Sequence, residues 1–125
     1  WASPNNYTSK KWNDITDAAG KSLFDPSPEG WRLPSKDEYS NFSTTTFTWD
    51  SSNKGRTYNA NWFPTAGYRN SLYGSMNYVG SYGSYWSSSP YNDNFGYYLY
   101  FLSGSVYPSS YYNRARGFSV RCVQE

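Results

Sequence analysis

The chain has no histidine and one cysteine, Cys122, in 125 residues. Lack of histidine excludes His-based catalytic triads, His-ligated zinc, and the side chain that ordinarily titrates near neutrality. A single cysteine excludes an intrachain disulfide. With no histidine or second thiol to activate it, Cys122 reads as a buried structural thiol rather than a nucleophile. Charge is also sparse. Asp, Glu, Lys and Arg make up 16% of the residues, and the net charge is +2. So small and scattered a charge argues against nucleic acid or an anionic membrane as partner. No apolar run is long enough to span a bilayer, so no membrane insertion is expected. No signal peptide is visible. The abrupt start at Trp1 reads as a piece of a longer protein, so a missing leader does not imply cytoplasm.

The chain is rich in rings and small polar groups. Fifteen Tyr, seven Phe and six Trp supply large buried area per residue, although only 37% of the residues are hydrophobic. Disordered chains have few aromatics, so the composition suits a secreted or surface β-rich domain. The length fits one domain over residues 1–125 with a modest core.

Local signals are uneven. Trp12, Ile15, Ala18 and Ala19 share a helical spacing, and Gly20 would stop a helix over Trp12–Ala19. The run DPSPEGW at 25–31 is turn chemistry. Ser35 followed by Glu38 forms a capping box and predicts a helix over Lys36–Phe42, with Tyr39 and Phe42 on one face. Residues 43–85 show little periodicity and read as long loops with short strands near Trp62–Phe63 and Tyr68. The tail alternates. Tyr97, Leu99 and Phe101 take one face of a strand, and Tyr98, Tyr100 and Leu102 the other. Phe118, Val120 and Cys122 alternate likewise with Ser119, Arg121 and Val123, predicting a second strand over Gly117–Val123.

Isolated motifs carry little chemistry. Trp12-Asn13-Asp14 matches a calcium-lectin tripeptide, but it lies near the start and lacks its partner loop. A calcium site needs six to eight converging oxygens, and the acids here are dispersed, so neither a metal nor a cofactor is expected. Asp25, Glu29, Asp37 and Glu38 do not read as a catalytic pair. Asp25 suits its turn, Asp37 a helix N-terminus and Glu38 the capping box. Arg32, Arg114 and Arg121 are flanked by apolar residues and are expected to make structural hydrogen bonds to backbone carbonyls or acids. Asn6-Tyr7-Thr8 and Asn41-Phe42-Ser43 fit the glycosylation pattern, which occurs often by chance at this composition.

Three segments together carry a resemblance: GWRLPSKDEY at 30–39, GSYGSYWSSSP at 80–90 and RGFSVRCV at 116–123. In this order they resemble the Fibrobacter major paralogous domain, a family abundant in gut Bacteroidetes, over about residues 25–125. The resemblance implies an α+β, C-type-lectin-like fold with one or two short helices, a small twisted antiparallel sheet and long loops. The family usually has Cys-Pro before Glu-Gly-Trp. Here Ser27-Pro28 takes that place, so no thiol contact to Cys122 is implied.

Residues 91–116 further resemble the variable region of a diversity-generating retroelement target. Such regions descend from Asn codons with randomised adenines, which cannot yield Lys, Glu, Gln, Met or Trp. All five are absent from Tyr91–Arg116 and present elsewhere in the chain. The resemblance implies a frame of Trp86, Leu99, Phe101, Val106, Pro108, Arg114, Gly117 and Phe118. The implied variable set begins with Asn92, Asp93, Asn94, Phe95, Tyr98, Tyr100, Leu102, Gly104 and Ser105, with Tyr91 possible before it. It continues through Tyr107, Ser109, Ser110, Tyr111, Tyr112, Asn113 and Arg116. The expected ligand-binding residues are this set without Leu102, Gly104 and Ser105. Tyr98, Tyr100, Tyr107, Tyr111 and Tyr112 would form the centre, with Asn92, Asp93, Asn113 and Arg116 at the edges.

The chemistry suits recognition. Tyr offers a large rigid ring with two χ angles to freeze, and Ser, Gly and Asn add adaptable hydrogen bonds. Rings and amides also stack on and bond to sugars. The expectation is a ligand-binding domain for a protein or glycan, on a surface lipoprotein, an adhesin or a phage particle. A fixed carbohydrate-binding or adhesion module is the alternative. Formylglycine-generating enzymes end similarly, but their chemistry needs cysteines this chain lacks, so no enzyme is expected.

Overall fold

The computed structural model describes Lys21 and residues 25–125. The expected helix over Trp12–Ala19, the Trp12-Asn13-Asp14 motif and the Asn6 glycosylation match lie outside the described residues. Ten strands follow in chain order: β1 (Trp31–Arg32), β2 (Thr48–Asp50), β3 (Gly55–Tyr58), β4 (Asn61–Pro64), β5 (Tyr68–Arg69), β6 (Met76–Asn77), β7 (Gly83–Pro90), β8 (Phe95–Phe101), β9 (Val106–Asn113) and β10 (Val123–Gln124). They form four small antiparallel sheets, ordered β1-β10, β2-β3-β4, β5-β6 and β7-β8-β9.

This architecture corrects the α+β, C-type-lectin-like expectation. Strands hold 43% of the structure and helix 4%, with no helix of seven residues or more, so the described chain is nearly all β. The capping box does start a turn of 3-10 helix at Lys36–Tyr39, and the Glu38 carboxylate accepts the Ser35 N–H at 2.7 Å. The helix stops well before Phe42. Beyond it, Ser43 and Thr46 offer the backbone a rival set of bonds: the Thr46 hydroxyl donates to the Asn41 carbonyl, and the Ser43 N–H donates to the Thr46 hydroxyl at 3.0 Å. Such local side-chain bonds compete with helix propagation. Tyr39 and Phe42 are nonetheless both buried, as their spacing predicts.

Residues 43–85 are mostly hairpins rather than loops. Asn59 and Ala60 both have positive φ between the paired residues Tyr58 and Asn61, which is the two-residue turn that matches strand twist. The tail segment also departs from expectation. Gly117–Val123 is not one strand. Gly117 bridges Arg69, Ser119 makes a single parallel bridge to Tyr85, and only Val123–Gln124 pairs with β1. Cys122 is half-buried and Val120 exposed, so the alternation in this stretch does not mark a buried face. The Ser119 N–H and carbonyl are taken by Ser84 and Trp86 on the outer edge of β7, and these two bonds fix the segment without a regular ladder.

Two cores flank the β7-β8-β9 sheet. On one side Leu99 and Phe101 join Tyr39, Phe42, Phe47, Phe63 and Tyr85. On the other Tyr98 joins Trp86 and Leu33, with Phe118 and Tyr100 packed against them. The sheet is therefore covered on both faces, and near-continuous aromatics in β8 serve both.

The N-terminal described segment is fixed by carboxylates. Asp25 is 8% exposed. Burial works to raise its pKa, but the N–H groups of Leu33 (2.9 Å) and Ser27 (2.8 Å) and the Lys21 ammonium hold it below its ordinary value of 3.8. Arg32 grips Glu38 with both terminal nitrogens at 2.7 Å, and this fork lowers the Glu38 pKa from 4.5. Both folded pKa values lie below the unfolded ones, so the unfolded chain takes up protons first. Stability from these groups is complete above pH 4.5 and is lost as pH falls through their folded values. The melting temperature should be flat from neutrality to that point and then drop. Asp25→Asn and Glu38→Gln should each lower the neutral value and shallow the drop. A melting temperature that rises on acidification would contradict this origin.

Candidate functional site

The β7-β8-β9 sheet carries every expected binding residue except Arg116, which follows β9, and Asn92, Asp93 and Asn94, which lie in the β7–β8 turn. Opposed residues on antiparallel strands share a face. Tyr98 opposes Trp86 and Ser110, Tyr100 opposes Tyr107, and Gly96 opposes Tyr112. Tyr97 opposes Tyr111. The five tyrosines therefore do not form one centre. Tyr98, Tyr100, Tyr107 and Tyr112 share a face, and Tyr111 lies on the other with Tyr91 and Tyr97.

Tyr98 also corrects the expectation that it faces out. It is 9% exposed because Phe118 covers it, with ring centroids 4.4 Å apart, and Trp86 meets it edge-on at 5.9 Å. Burial raises its phenol pKa, so it stays neutral and acts as core. Asn92 and Asn113 are largely architectural. The Asn92 side-chain oxygen accepts the N–H groups of Asn94 and Phe95, and that of Asn113 accepts the Ala115 N–H at 2.8 Å. These are the turn-closing bonds expected of Asn. Asp93, Asn94 and Ser109 are exposed, and Phe95 and Ser110 half-buried.

The shared face extends into a part of the chain that sequence reading missed. Tyr100 meets Tyr82 edge-on at 5.3 Å and stacks on Tyr107 at 5.5 Å and 12°. Tyr82 stacks on Tyr78 at 4.2 Å and 11°, and Tyr78 approaches Tyr68 at 5.9 Å. Tyr68 meets Phe118 edge-on. The result is a continuous series of ring contacts that is dry at Trp86 and Tyr98, half-buried at Phe118 and open at Tyr78 and Tyr107, which are 53% and 49% exposed; Tyr112, 40% exposed, joins it through Arg116. Burial first, then the Tyr82 hydroxyl, keep the Tyr100 phenol well above its ordinary pKa, so it presents a neutral hydroxyl. The density of tyrosine at 68, 73, 78 and 82 was the available sequence signal.

Tyr78 has φ +57°. This left-handed conformation is unusual for a bulky residue and costs about 1–2 kcal/mol. The surroundings over-determine it. Gly67 presses on this backbone so closely that a Cβ there would lie 2.2 Å from the Asn77 carbonyl oxygen. The Tyr78 carbonyl also accepts the N–H groups of Ser81 and Tyr82 at 3.0 Å.

Arg116 supplies the charge on this face. Its guanidinium carbon lies 3.7 Å from the Tyr112 ring centroid and 4.6 Å from that of Tyr68, and Nη2 donates to the Tyr112 hydroxyl at 2.9 Å. Arg114, by contrast, is framework, donating to the carbonyls of Phe95 (3.2 Å) and Asn92 (2.8 Å). Arg121 donates to Asn61 at 3.3 Å and lies over the Phe63 ring. The Arg32–Glu38 fork and the Arg114 bonds match the expected role, whereas Arg121 bonds the side-chain oxygen of Asn61 rather than a backbone carbonyl or an acid.

The opposite face has a smaller cluster. Tyr91 stacks on Tyr111 at 4.0 Å and 2°, Tyr97 meets both edge-on, and the Lys36 ammonium lies 5.2 Å from the Tyr97 centroid. Among the described residues, no group of three or more His, Cys, Asp or Glu could hold a metal ion, and no helix is long and apolar enough to cross a membrane.

The chain belongs to the family described as a domain of unknown function (DUF8237), whose model matches residues 42–123. The match contains β2 through β9 and both tyrosine clusters. No curated protein and no solved structure matches the chain.

Proposed function

We propose that this domain recognises a ligand through the ring face of Tyr68, Tyr78, Tyr82, Tyr100, Tyr107 and Tyr112, with Arg116 as its polar anchor. The observation that carries the reading is Tyr78. Its backbone is locked in a left-handed conformation by Gly67 and by the turn bonds to Ser81 and Tyr82, and this holds a half-exposed ring stacked on Tyr82 in a fixed position at the surface, where strained residues cluster at functional sites. Rings already locked against one another have little entropy left to lose on binding.

We further propose that part of the face is diversified, as in a retroelement target displayed on a cell surface or phage particle. Support comes from exposure. Within the implied variable set Tyr98 alone is buried, while the implied frame holds the buried Trp86, Leu99 and Phe101. The resemblance of three segments to the Fibrobacter major paralogous domain points the same way. A fixed carbohydrate-binding or adhesion module is the second reading. It is favoured by the position of Tyr68, Tyr78 and Tyr82, which lie outside residues 91–116. A template repeat and a reverse-transcriptase gene beside this one would select the first reading, and their absence the second. Neither reading includes a catalytic step.

The binding reading is tested with an array of glycans and cell-surface proteins, probed by the native domain and by Tyr78→Gly and Tyr107→Ser. Tyr78→Gly relieves left-handed strain of about 1–2 kcal/mol while losing ring contacts of about 0.5–1.5 kcal/mol, so its stability should stay near native. Binding should weaken about tenfold or more in both variants, as at aromatic hot spots. A native domain that binds nothing, or variants that bind as well as the native domain, would overturn the reading.

A further inference from the structure

We infer that the ligand of this face is an acidic saccharide whose carboxylate is taken by Arg116. The inference rests on the recognition reading above and adds the class of ligand.

Arg116 is held for such a role. Its guanidinium is sandwiched between the rings of Tyr112 and Tyr68, and the Tyr112 hydroxyl takes one Nη2 hydrogen. Among the described residues, Nη1 has no hydrogen-bond partner, the buried Nε has none either, and no carboxylate pairs with the group. Arg114, the other arginine of this sheet's edge, is given over to framework bonds with Phe95 and Asn92. With Nε buried, the planar guanidinium held against the rings presents its Nη1 and Nη2 end, where the N–H groups not taken by Tyr112 form a fork that meets a carboxylate.

The surrounding charge agrees. Over residues 42–123 there are six cations, Lys54, Arg56, Arg69, Arg114, Arg116 and Arg121, against the two acids Asp50 and Asp93. Asp50 is occupied in its own turn, accepting from Ser52 and Asn53. Arg69 pairs with Gly117, the residue after Arg116, but its side chain lies over Gly117 on the other side of the strand from Tyr68 and donates to the Gly74 carbonyl, so it serves as a nearby control charge. Residues 42–123, which bear the rings, therefore favour an anion, although the whole chain is nearly neutral.

The rings favour a sugar over an acidic peptide. Tyr78 with Tyr82 and Tyr100 with Tyr107 form two near-parallel stacks, at 11° and 12°, whose outer members are half-exposed. Such flat surfaces suit the apolar face of a pyranose. Half-buried Ser110, opposite Tyr98, and the phenol groups add donors and acceptors for its hydroxyls.

The test uses the intact domain and calorimetric titration with sialyl- and uronate-containing oligosaccharides, their methyl esters, and polyglutamate. The acids should bind. Esterification or Arg116→Gln should each weaken binding at least about tenfold, the loss of one charged hydrogen-bonded pair. Arg116→Lys, which keeps charge without the fork, should recover only part of the loss. Affinity should fall as salt is raised. Melting temperature is measured for each variant, and Arg69→Gln should weaken binding less than Arg116→Gln. Equal binding of esters and acids would refute the anionic class while leaving the ring face as a recognition surface. Polyglutamate binding more tightly than the saccharides would refute the sugar. Failure of every probe here, with array binding that still depends on Tyr78 and Tyr107, would reject the acidic saccharide alone. Failure in both experiments would reject the recognition reading with it.

Discussion

Phe101→Ala is expected to destabilise the domain by about 3–5 kcal/mol, the range for emptying a buried aromatic site. Phe101 is fully buried, meets Phe47 edge-on at 4.8 Å and stacks with Tyr85. It also lies over its cross-strand partner Gly83 so closely that a Cβ on Gly83 would fall 2.1 Å from the ring. Ring and glycine are one packing unit. Gly83→Ala should therefore cost about 1–3 kcal/mol by overpacking, and the double variant should cost less than the sum, since removing the ring clears the space. Tyr107→Ser, on the open end of the ring face, should stay within about 0.5 kcal/mol of native. Urea unfolding of the native domain and the four variants measures all of this. Equal losses for Phe101→Ala and Tyr107→Ser would contradict the assignment of frame and face.

Arg56→Ala is expected to lose about 3 kcal/mol or more, through abandoned carbonyls and the space left behind. Arg56 is 2% exposed, and burial lowers its pKa. Among the described residues it has no acid partner; its donors go to the carbonyls of Phe47, Leu102 (3.1 and 3.0 Å) and Ser103 (2.8 Å). It thereby ties β3 and the start of β2 to the turn between β8 and β9. Arg56→Lys keeps a charge but cannot reach three carbonyls from a fixed fork, so it should recover only a minor part of the stability. The hairpin that Arg56 secures carries Tyr100 and Tyr107, so ligand binding should weaken along with stability. A lysine variant with the native unfolding midpoint would show that fork geometry is not what holds this hairpin.

Sequence parity correctly assigned Leu99 and Phe101 to one face of β8 and Tyr98 and Tyr100 to the other. It could not say that both faces are covered. Tyr98 is buried because Phe118 and Trp86 reach it from distant positions in the chain, and a strand's own pattern contains no information about what packs on it. The same limit hid Tyr68, Tyr78 and Tyr82, which join the ring face only because β5 and β6 fold beside β8.

Within a few residues, chemistry decided more. The Ser35–Glu38 box, the turn at 25–31 and the Arg32–Glu38 fork follow from short-range bonding, and the structure keeps them. The predicted helix beyond Tyr39 fails for an equally local reason, the hydroxyl bonds of Ser43 and Thr46. By itself, then, the sequence determined the strand parity of β8, the turn at 25–31, the absence of disulfide and histidine chemistry, and the ring-rich alphabet of the face. Tertiary structure alone decided that the fold is nearly all β and that Tyr111 faces away from Tyr107. It also decided that Arg56 is buried without an acid, and that Arg116 lies between Tyr68 and Tyr112. Each of these depends on contacts between residues far apart in the chain, where the position of one partner cannot be derived from the neighbours of the other.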